Sequence, residues 1–171
     1  MLKIFKSMGQ LRFSELLDVY AESNALNGLE QYPNLSRTLQ MLEAEQNFYQ
    51  YLKDIFFRQA DSFYAVWENE GRYVAALRIE PYEDGFLLCG LETAPDARRQ
   101  GYASVLILAV QKHLSQERKC KIYSHISKKN RPSLEVHKRC GFKIILNHAL
   151  YSDGSVLHNH YTLLLDKKSE T

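Results

Sequence analysis

The sequence predicts an α+β fold. Apolar residues recur with helical period through most of the first sixty residues, the period changes to strand alternation after residue 61, and from residue 101 helical and strand segments follow one another. At 171 residues, with 45% hydrophobic and 25% charged content, the chain has the length and balance of one domain with a real core, so residues 1–171 are read as a single domain.

Taken in order, residues 3–8 alternate enough to form a strand. Phe13, Leu16, Leu17 and Tyr20 then fall at i, i+3, i+4 and i+7, one face of a helix. Residues 22–33 read as a loop ended by Pro33, and a second helix starts at Ser36 with Leu42, Tyr49, Leu52 and Phe56 on its apolar side. Strands follow at 63–68, 73–79 and 86–93, separated by the turn segments Asn69-Glu70-Gly71 and Glu83-Asp84-Gly85. A helix over 101–116 is apolar nearly all round and is therefore expected to be well buried. A strand at 120–127, a short helix at 132–140 closed by Gly141, and strands at 142–150 and 156–165 complete the fold. Asp153-Gly154 reads as a two-residue hairpin turn between the last two strands, and the tail 167–171 is expected to fray.

Composition narrows the function classes. No run approaches the ~20 apolar residues of a membrane span, and the first five residues lack a signal-peptide core, so a cytoplasmic protein without a membrane partner is expected. Cys89, Cys120 and Cys140 cannot all pair and form no Cys-x-x-Cys, which argues against a disulfide framework or a zinc ribbon. The net charge is only +2, but residues 98–143 carry twelve Lys/Arg against two acids, while residues 10–55 carry three against seven. A basic half suits a polyanionic ligand and an acidic, tyrosine-rich half suits a cationic one; solvated helix faces would give the same pattern.

The most informative stretch is Ala94-Pro95-Asp96-Ala97-Arg98-Arg99-Gln100-Gly101-Tyr102-Ala103-Ser104, which joins an apolar strand to an apolar helix through a basic turn. The first amides of a helix lack intrahelical acceptors and carry the positive end of its dipole, so the helix opening at Gly101 should bind an anion. It lacks the Gly-Lys-Ser/Thr of a P-loop and has one of the three glycines of a dinucleotide fingerprint. Thirty residues on comes Asn130-Arg131-Pro132-Ser133-Leu134-Glu135-Val136-His137-Lys138-Arg139-Cys140-Gly141-Phe142.

Arg-x-x-Gly-x-Ala at 98–103 resembles motif A of the GNAT acyltransferases, and Asn-x-x-Ser with a short helix and Gly-Phe at 130–142 resembles their motif B. The resemblance covers residues 86–142. It implies a single GNAT-like domain, with a mixed, mostly antiparallel sheet of about seven strands and about four helices. It also implies acetyl-CoA as cosubstrate: the pyrophosphate on Arg98, Arg99, Gln100, Gly101, Tyr102, Ala103 and Ser104, further coenzyme contacts from Asn130 and Ser133, Leu91 N–H on the acetyl carbonyl, and the Thr93 backbone on pantetheine.

Acetyl transfer from a thioester to an amine requires a neutral amine, a polarised carbonyl and a proton for the departing thiolate. Glu92 is either the base or an ion-pair partner of Arg78 or another basic group, and Glu80 is a second candidate. Where many members of the resembled family have a tyrosine that protonates the thiolate, this chain has His137, which is either that acid or a coenzyme contact, or else an ordinary residue of an amphipathic helix; Tyr123 is the reserve donor. The pair His158 and His160 shares a strand face, but the two-residue turn would pair His148 with Asn159 and turn it away, so no metal site is expected.

The leading expectation is an N-acetyltransferase moving the acetyl group of acetyl-CoA directly to a primary amine. A small-molecule acceptor is favoured over a protein, with the chain a monomer or homodimer. The rivals are a non-catalytic acyl-CoA sensor of the same fold and, more distantly, a nucleic-acid-binding module. The basic stretch carries no recognised DNA or RNA motif, so no nucleic-acid partner is expected.

Overall fold

The computed structural model describes residues 1–117 and 121–166. Seven strands form one sheet: β1 (Leu2–Phe5), β2 (Phe63–Asn69), β3 (Arg72–Tyr82), β4 (Gly85–Thr93), β5 (Lys121–Ser127), β6 (Lys143–Leu146) and β9 (His160–Leu165). The sheet order is β1-β2-β3-β4-β5-β9-β6. Only β4 and β5 run parallel, as a strand pair joined through a crossover helix must; the other neighbours are antiparallel. The helices are α1 (Phe13–Val19), α2 (Ala21–Gln31), α3 (Arg37–Asp54), α4 (Tyr102–Glu117) and α5 (Arg131–Arg139). The α+β class with a mixed, mostly antiparallel sheet is as predicted, with one helix more than expected.

Strand alternation gives the sheet two buried faces, each with its own core. On one, Ala65, Leu77, Ile79 and Leu88 pack with Leu106, Ile107, Val110 and Leu114 of α4 and Leu134 of α5. On the other, Tyr64, Val66 and Ala76 pack with Leu16 and Val19 of α1, Leu52 of α3 and Phe56. Leu16, Leu52, Phe56 and Leu106 are fully buried, each contributing about 1.5–3 kcal/mol of transfer free energy. Ser36 caps α3, its hydroxyl accepting from Leu39 N–H at 3.4 Å, at the position the sequence indicated.

Two expectations fail, each for a physical reason. Residues 22–33 are not a loop, because most of them form α2, whose buried residues are Asn24 and Gly28 while Leu26 and Leu29 face solvent. The apolar period that announces a helix is thus inverted, and the contact with α3 is made by the absence of a side chain: a Cβ on Gly28 would overlap the Gln40 carbonyl. The last hairpin also differs. It closes through Tyr151 N–H to Ser155 O and Gly154 N–H to Tyr151 O, both at 2.9 Å, with Gly154 at φ +84°. That is a three-residue loop with a left-handed glycine rather than a two-residue turn. The ribbon formed by β7 (Ala149–Leu150) and β8 (Val156–Leu157) accordingly pairs Ala149 with Leu157, one residue off the expected register. The expected tail 167–171 and Cys120 lie outside the described residues.

Candidate active site

The site begins with an interruption in β4. Ala76 pairs with Glu92 and Arg78 with Cys89, so Gly90 and Leu91 together oppose Leu77 and make a bulge, with Gly90 at φ +60°. On the other edge, the parallel pairing with β5 runs from Gly85/Lys121 to Leu88/Ser124 and stops. The two strands then part, which leaves the backbone groups of the end of β4 without a β5 ladder to satisfy them. The Tyr20 hydroxyl donates to Gly90 O and ties α1 to the bulge.

The turn after β4 supplies a second backbone feature. Arg99 and Gly101 both have positive φ, +61° and +83°, so the chain curls before α4. A Cβ on Gly101 would meet nothing within 4 Å, so it is the backbone angle and the open approach, not crowding, that suit glycine. The first helical bond is Val105 N–H to Gly101 O at 3.1 Å, and the amides of Tyr102, Ala103 and Ser104 precede it at the positive end of the helix dipole. On the facing helix α5, Asn130 Oδ1 accepts from Ser133 N–H at 3.2 Å and fixes the helix start.

These elements enclose one cleft of about 830 Å³. Leu91, Thr93, Arg98, Arg99, Gly101, Tyr102, Ala103, Ser104, Asn130 and Ser133 all line it, and so does Glu92. Gln100 is exposed and outside the lining. Pro132, Val136 and Arg139 also line the cleft and were missed by sequence reasoning. Their spacing along α5, with Ser133, marks one helical face, a signal available before the structure. A charge contact was missed as well: Arg98 Nη1 meets Glu22 Oε2 of α2 at 2.7 Å, while Arg98 Nε–H reaches Thr93 O at 3.4 Å.

The catalytic candidates separate. Glu92 is partly buried at the cleft; burial raises its carboxyl above the usual range, against a lowering by a hydrogen bond from Ser23 and by the charge of Arg98. Its cross-strand neighbour is Ala76 and Arg78 approaches Glu80 instead, so no Glu92–Arg78 pair forms, and the basic group whose charge acts on Glu92 is Arg98.

His137 is 1% exposed and does not line the cleft. Its Nδ1 lies 2.8 Å from Ser133 O, an atom that can only accept, so the ring proton sits on Nδ1; Nε2 lies 3.2 Å from the Ser124 hydroxyl, whose one proton is shared between this nitrogen and Leu88 O at 3.1 Å. Burial pulls the imidazole below its usual range, leaving it neutral near pH 7. A neutral ring held on one nitrogen by its own helix and on the other by Ser124 links α5 to β5.

Tyr123 donates to Asp84 Oδ1 at 2.7 Å. It stands opposite Leu87, four residues or about 13 Å along the strand from Leu91. Burial and the Asp84 carboxylate hold its hydroxyl protonated well above the usual tyrosine range.

The altered hairpin register bears on the histidines too: the rings of His148 and His158 lie 6.3 Å apart, not on opposite faces as expected. His160 Nδ1 contacts Asn159 Oδ1 at 2.7 Å. Among the described residues no group of three or more His, Cys, Asp or Glu side chains is arranged to hold a metal ion.

Comparison with known proteins agrees with this architecture. Residues 29–142 match the model of the Acetyltransferase (GNAT) family, and the chain belongs to that family. Similar solved structures include the PaiA N-acetyltransferase from Thermoplasma acidophilum in complex with coenzyme A, 12% identical over 97% of this chain and 99% of that one, with a TM-score of 0.65. An aminoglycoside 6'-acetyltransferase type Ii is 14% identical over 100% and 99% of the two chains, with a TM-score of 0.63. The ribosomal-protein-S18-alanine N-acetyltransferase from Escherichia coli is 16% identical over 100% and 98%, with a TM-score of 0.58. At these identities the likeness speaks to the fold. No curated protein sequence matches the chain significantly. No helix among the described residues is long and apolar enough to cross a membrane.

Proposed function

We propose that the protein is an acetyl-CoA-dependent N-acetyltransferase that moves an acetyl group directly to a primary amine of a small molecule. The observation that carries this reading is the single cleft joining the curled, basic start of α4 to the unpaired end of β4. Its two ends ask for the two ends of one ligand: free amides and arginines for a diphosphate, and exposed strand backbone for an amide-bearing arm that pairs like a short strand. Acetyl-CoA supplies the activated acyl thioester.

The chain's own residues would then act as follows. The amides of Gly101, Tyr102, Ala103 and Ser104, with Arg98 and Arg99, hold the pyrophosphate. Asn130 and Ser133 contact the coenzyme from α5. The Thr93 backbone holds pantetheine, and Leu91 N–H donates to the acetyl carbonyl oxygen, where negative charge grows as the amine attacks. Glu92 takes the proton of the acceptor's ammonium, a role helped by a carboxyl held above its ordinary range. The new C–N bond forms as the C–S bond breaks. With His137 and Tyr123 both directed elsewhere, the thiolate takes its proton from water.

The test is incubation with acetyl-CoA and a panel of primary amines, following free thiol and the mass of the acetylated acceptor. Acceptor-dependent thiol release with a matching mass gain is expected. Tight coenzyme binding with no turnover on any amine would select the acyl-CoA sensor instead.

A further inference from the structure

The face of the sheet turned away from α4 and α5 carries a partly buried guanidinium whose side-chain contact is with the Cys89 thiol. Arg78, on β3, lies beneath the bulge: a Cβ built on Gly90 would sit 3.4 Å from its Nε and from Nη2. Its buried Nε has no hydrogen-bond partner among the described residues. The closest approach of an anion is Glu80 Oε1 at 3.9 Å from Nε, outside hydrogen-bond range. That carboxylate is engaged by others, accepting from Tyr51 O–H at 3.3 Å and from Cys89 S–H at 3.4 Å. Aromatic rings make up much of the remaining surround, with Tyr51 and Phe56 centred 5.1 and 5.9 Å from the guanidinium carbon.

An arginine has five N–H donors and no acceptor, and withdrawing them from water without partners costs stability. Filling this space would need only an apolar residue. The arginine side chain keeps 21% of its surface exposed, so a solute can reach it. Glu80 approaches from the Nε side and the Cys89 thiol contacts the side chain, but no carboxylate among the described residues meets the Nη1/Nη2 edge, the edge that grips a carboxylate through two parallel bonds. Glu80 also supplies one negative charge already, which suits a monoanion better than a phosphate dianion. The position fixes the role: Gly90 directly precedes Leu91, the residue proposed above to polarise the acyl carbonyl.

We propose that Arg78 recognises a carboxylate on the acceptor, so that the amine acetylated belongs to a free amino acid or a close analogue, with amine and carboxylate a few bonds apart. The inference rests on the acetyl-transfer reading. A peptide N-terminus, whose neighbouring carbonyl is an amide, lacks the group that Arg78 would hold.

The experiment compares amino acids with their primary amides, which keep the amine and side chain but lose the charge: phenylalanine, leucine, methionine and glutamine, each against its amide. Thiol release from acetyl-CoA measures use, and titration calorimetry with and without coenzyme A measures binding. At least one acid should be used and bound about 10- to 100-fold better than its amide, the range of a charge-assisted hydrogen-bonded contact. Arg78→Met should erase that preference while acetyl-CoA still raises the melting temperature, and Arg78→Lys should restore part of it. Equal use and binding of acids and amides by the wild-type protein, or tighter binding of the amides, overturns the proposal whether or not the variants fold. Failure of acetyl-CoA to bind the wild-type protein is a separate result that brings down the transferase reading, while the calorimetric comparison without coenzyme still decides on Arg78.

Discussion

The two faces of the sheet use different materials. On the side of α4 and α5 the cleft offers mostly backbone: the curled turn at Arg99 and Gly101, the first amides of α4, and the unpaired end of β4. On the side of α1, α2 and α3 the proposed contacts are side chains: Arg78, with Glu80 and Tyr51 around it. Backbone recognition needs a few residues of fixed conformation and little else, so it leaves a short, readable motif. Side-chain recognition depends on residues brought together from β3 and α3, and leaves none.

The difference implies that the two faces can be broken separately, beginning with the largest effect. Glu92→Gln should lower turnover by roughly 10² to 10⁴, the range for loss of a general base, and leave acetyl-CoA affinity unchanged. Its pH signature follows from burial: the folded chain holds the Glu92 proton to higher pH than the unfolded chain does. Stability from this group therefore falls as pH rises through the carboxylate range, and the catalytic carboxylate appears only above the raised value. The rising limb of kcat/KM should lie above the ordinary carboxylate range in the wild type and vanish in Glu92→Gln.

Gly28→Val should be felt on the other face. Its side chain would overlap the Gln40 backbone, forcing α2 away from α3 at about 1–3 kcal/mol, an overpacking cost. For a chain of this size that is a fall of roughly 2–4 °C in Tm per kcal/mol, checked by calorimetry. Acetyl-CoA affinity should hold within about threefold, since the amides of α4 do not depend on that contact.

His137→Phe asks whether the buried ring locks or catalyses. Losing its bonds to Ser133 O and Ser124 Oγ should cost about 1–3 kcal/mol. The shape of the kcat pH profile should be unchanged. A profile that loses its falling limb would restore the acid role.

The smallest effect lies where the two faces touch. Arg98 and Glu22 are both about half exposed, so their pair is worth little to stability, roughly 0–1 kcal/mol. Glu22→Gln removes a carboxylate that competes with a diphosphate for Arg98. Acetyl-CoA should bind about two- to fivefold more tightly at low salt, and the gain should shrink as salt is added.

Legibility in the sequence followed the same division. The strands of the sheet and the start of α3 were readable, because alternation, glycine turns and the Ser36 cap are local signals. The residues that line the cleft were readable from the spacing at 98–104 and 130–133, apart from Gln100, which is exposed and does not line it. Helix α2 was not, since it buries Asn24 and Gly28 and exposes its leucines. The register around His148 turned on whether the hairpin loop holds two residues or three, a choice that reverses which face each later side chain takes. His137 stands at the position where the family resemblance led to an acid, yet its surroundings are set by Ser124, from another strand, and that contact is invisible to a motif.

The central claim is that the start of α4 holds the coenzyme through its backbone, and titration calorimetry of acetyl-CoA against the wild type and Gly101→Asp tests it most directly. A Cβ at Gly101 meets no protein atom within 4 Å, so the variant should stay folded, with the positive φ costing about 1–2 kcal/mol. Its aspartate carboxylate would stand where the diphosphate must approach. The account predicts saturable binding to the wild type and a loss of at least about 100-fold in the folded variant. Equal binding by the two proteins, or none by the wild type, would contradict it.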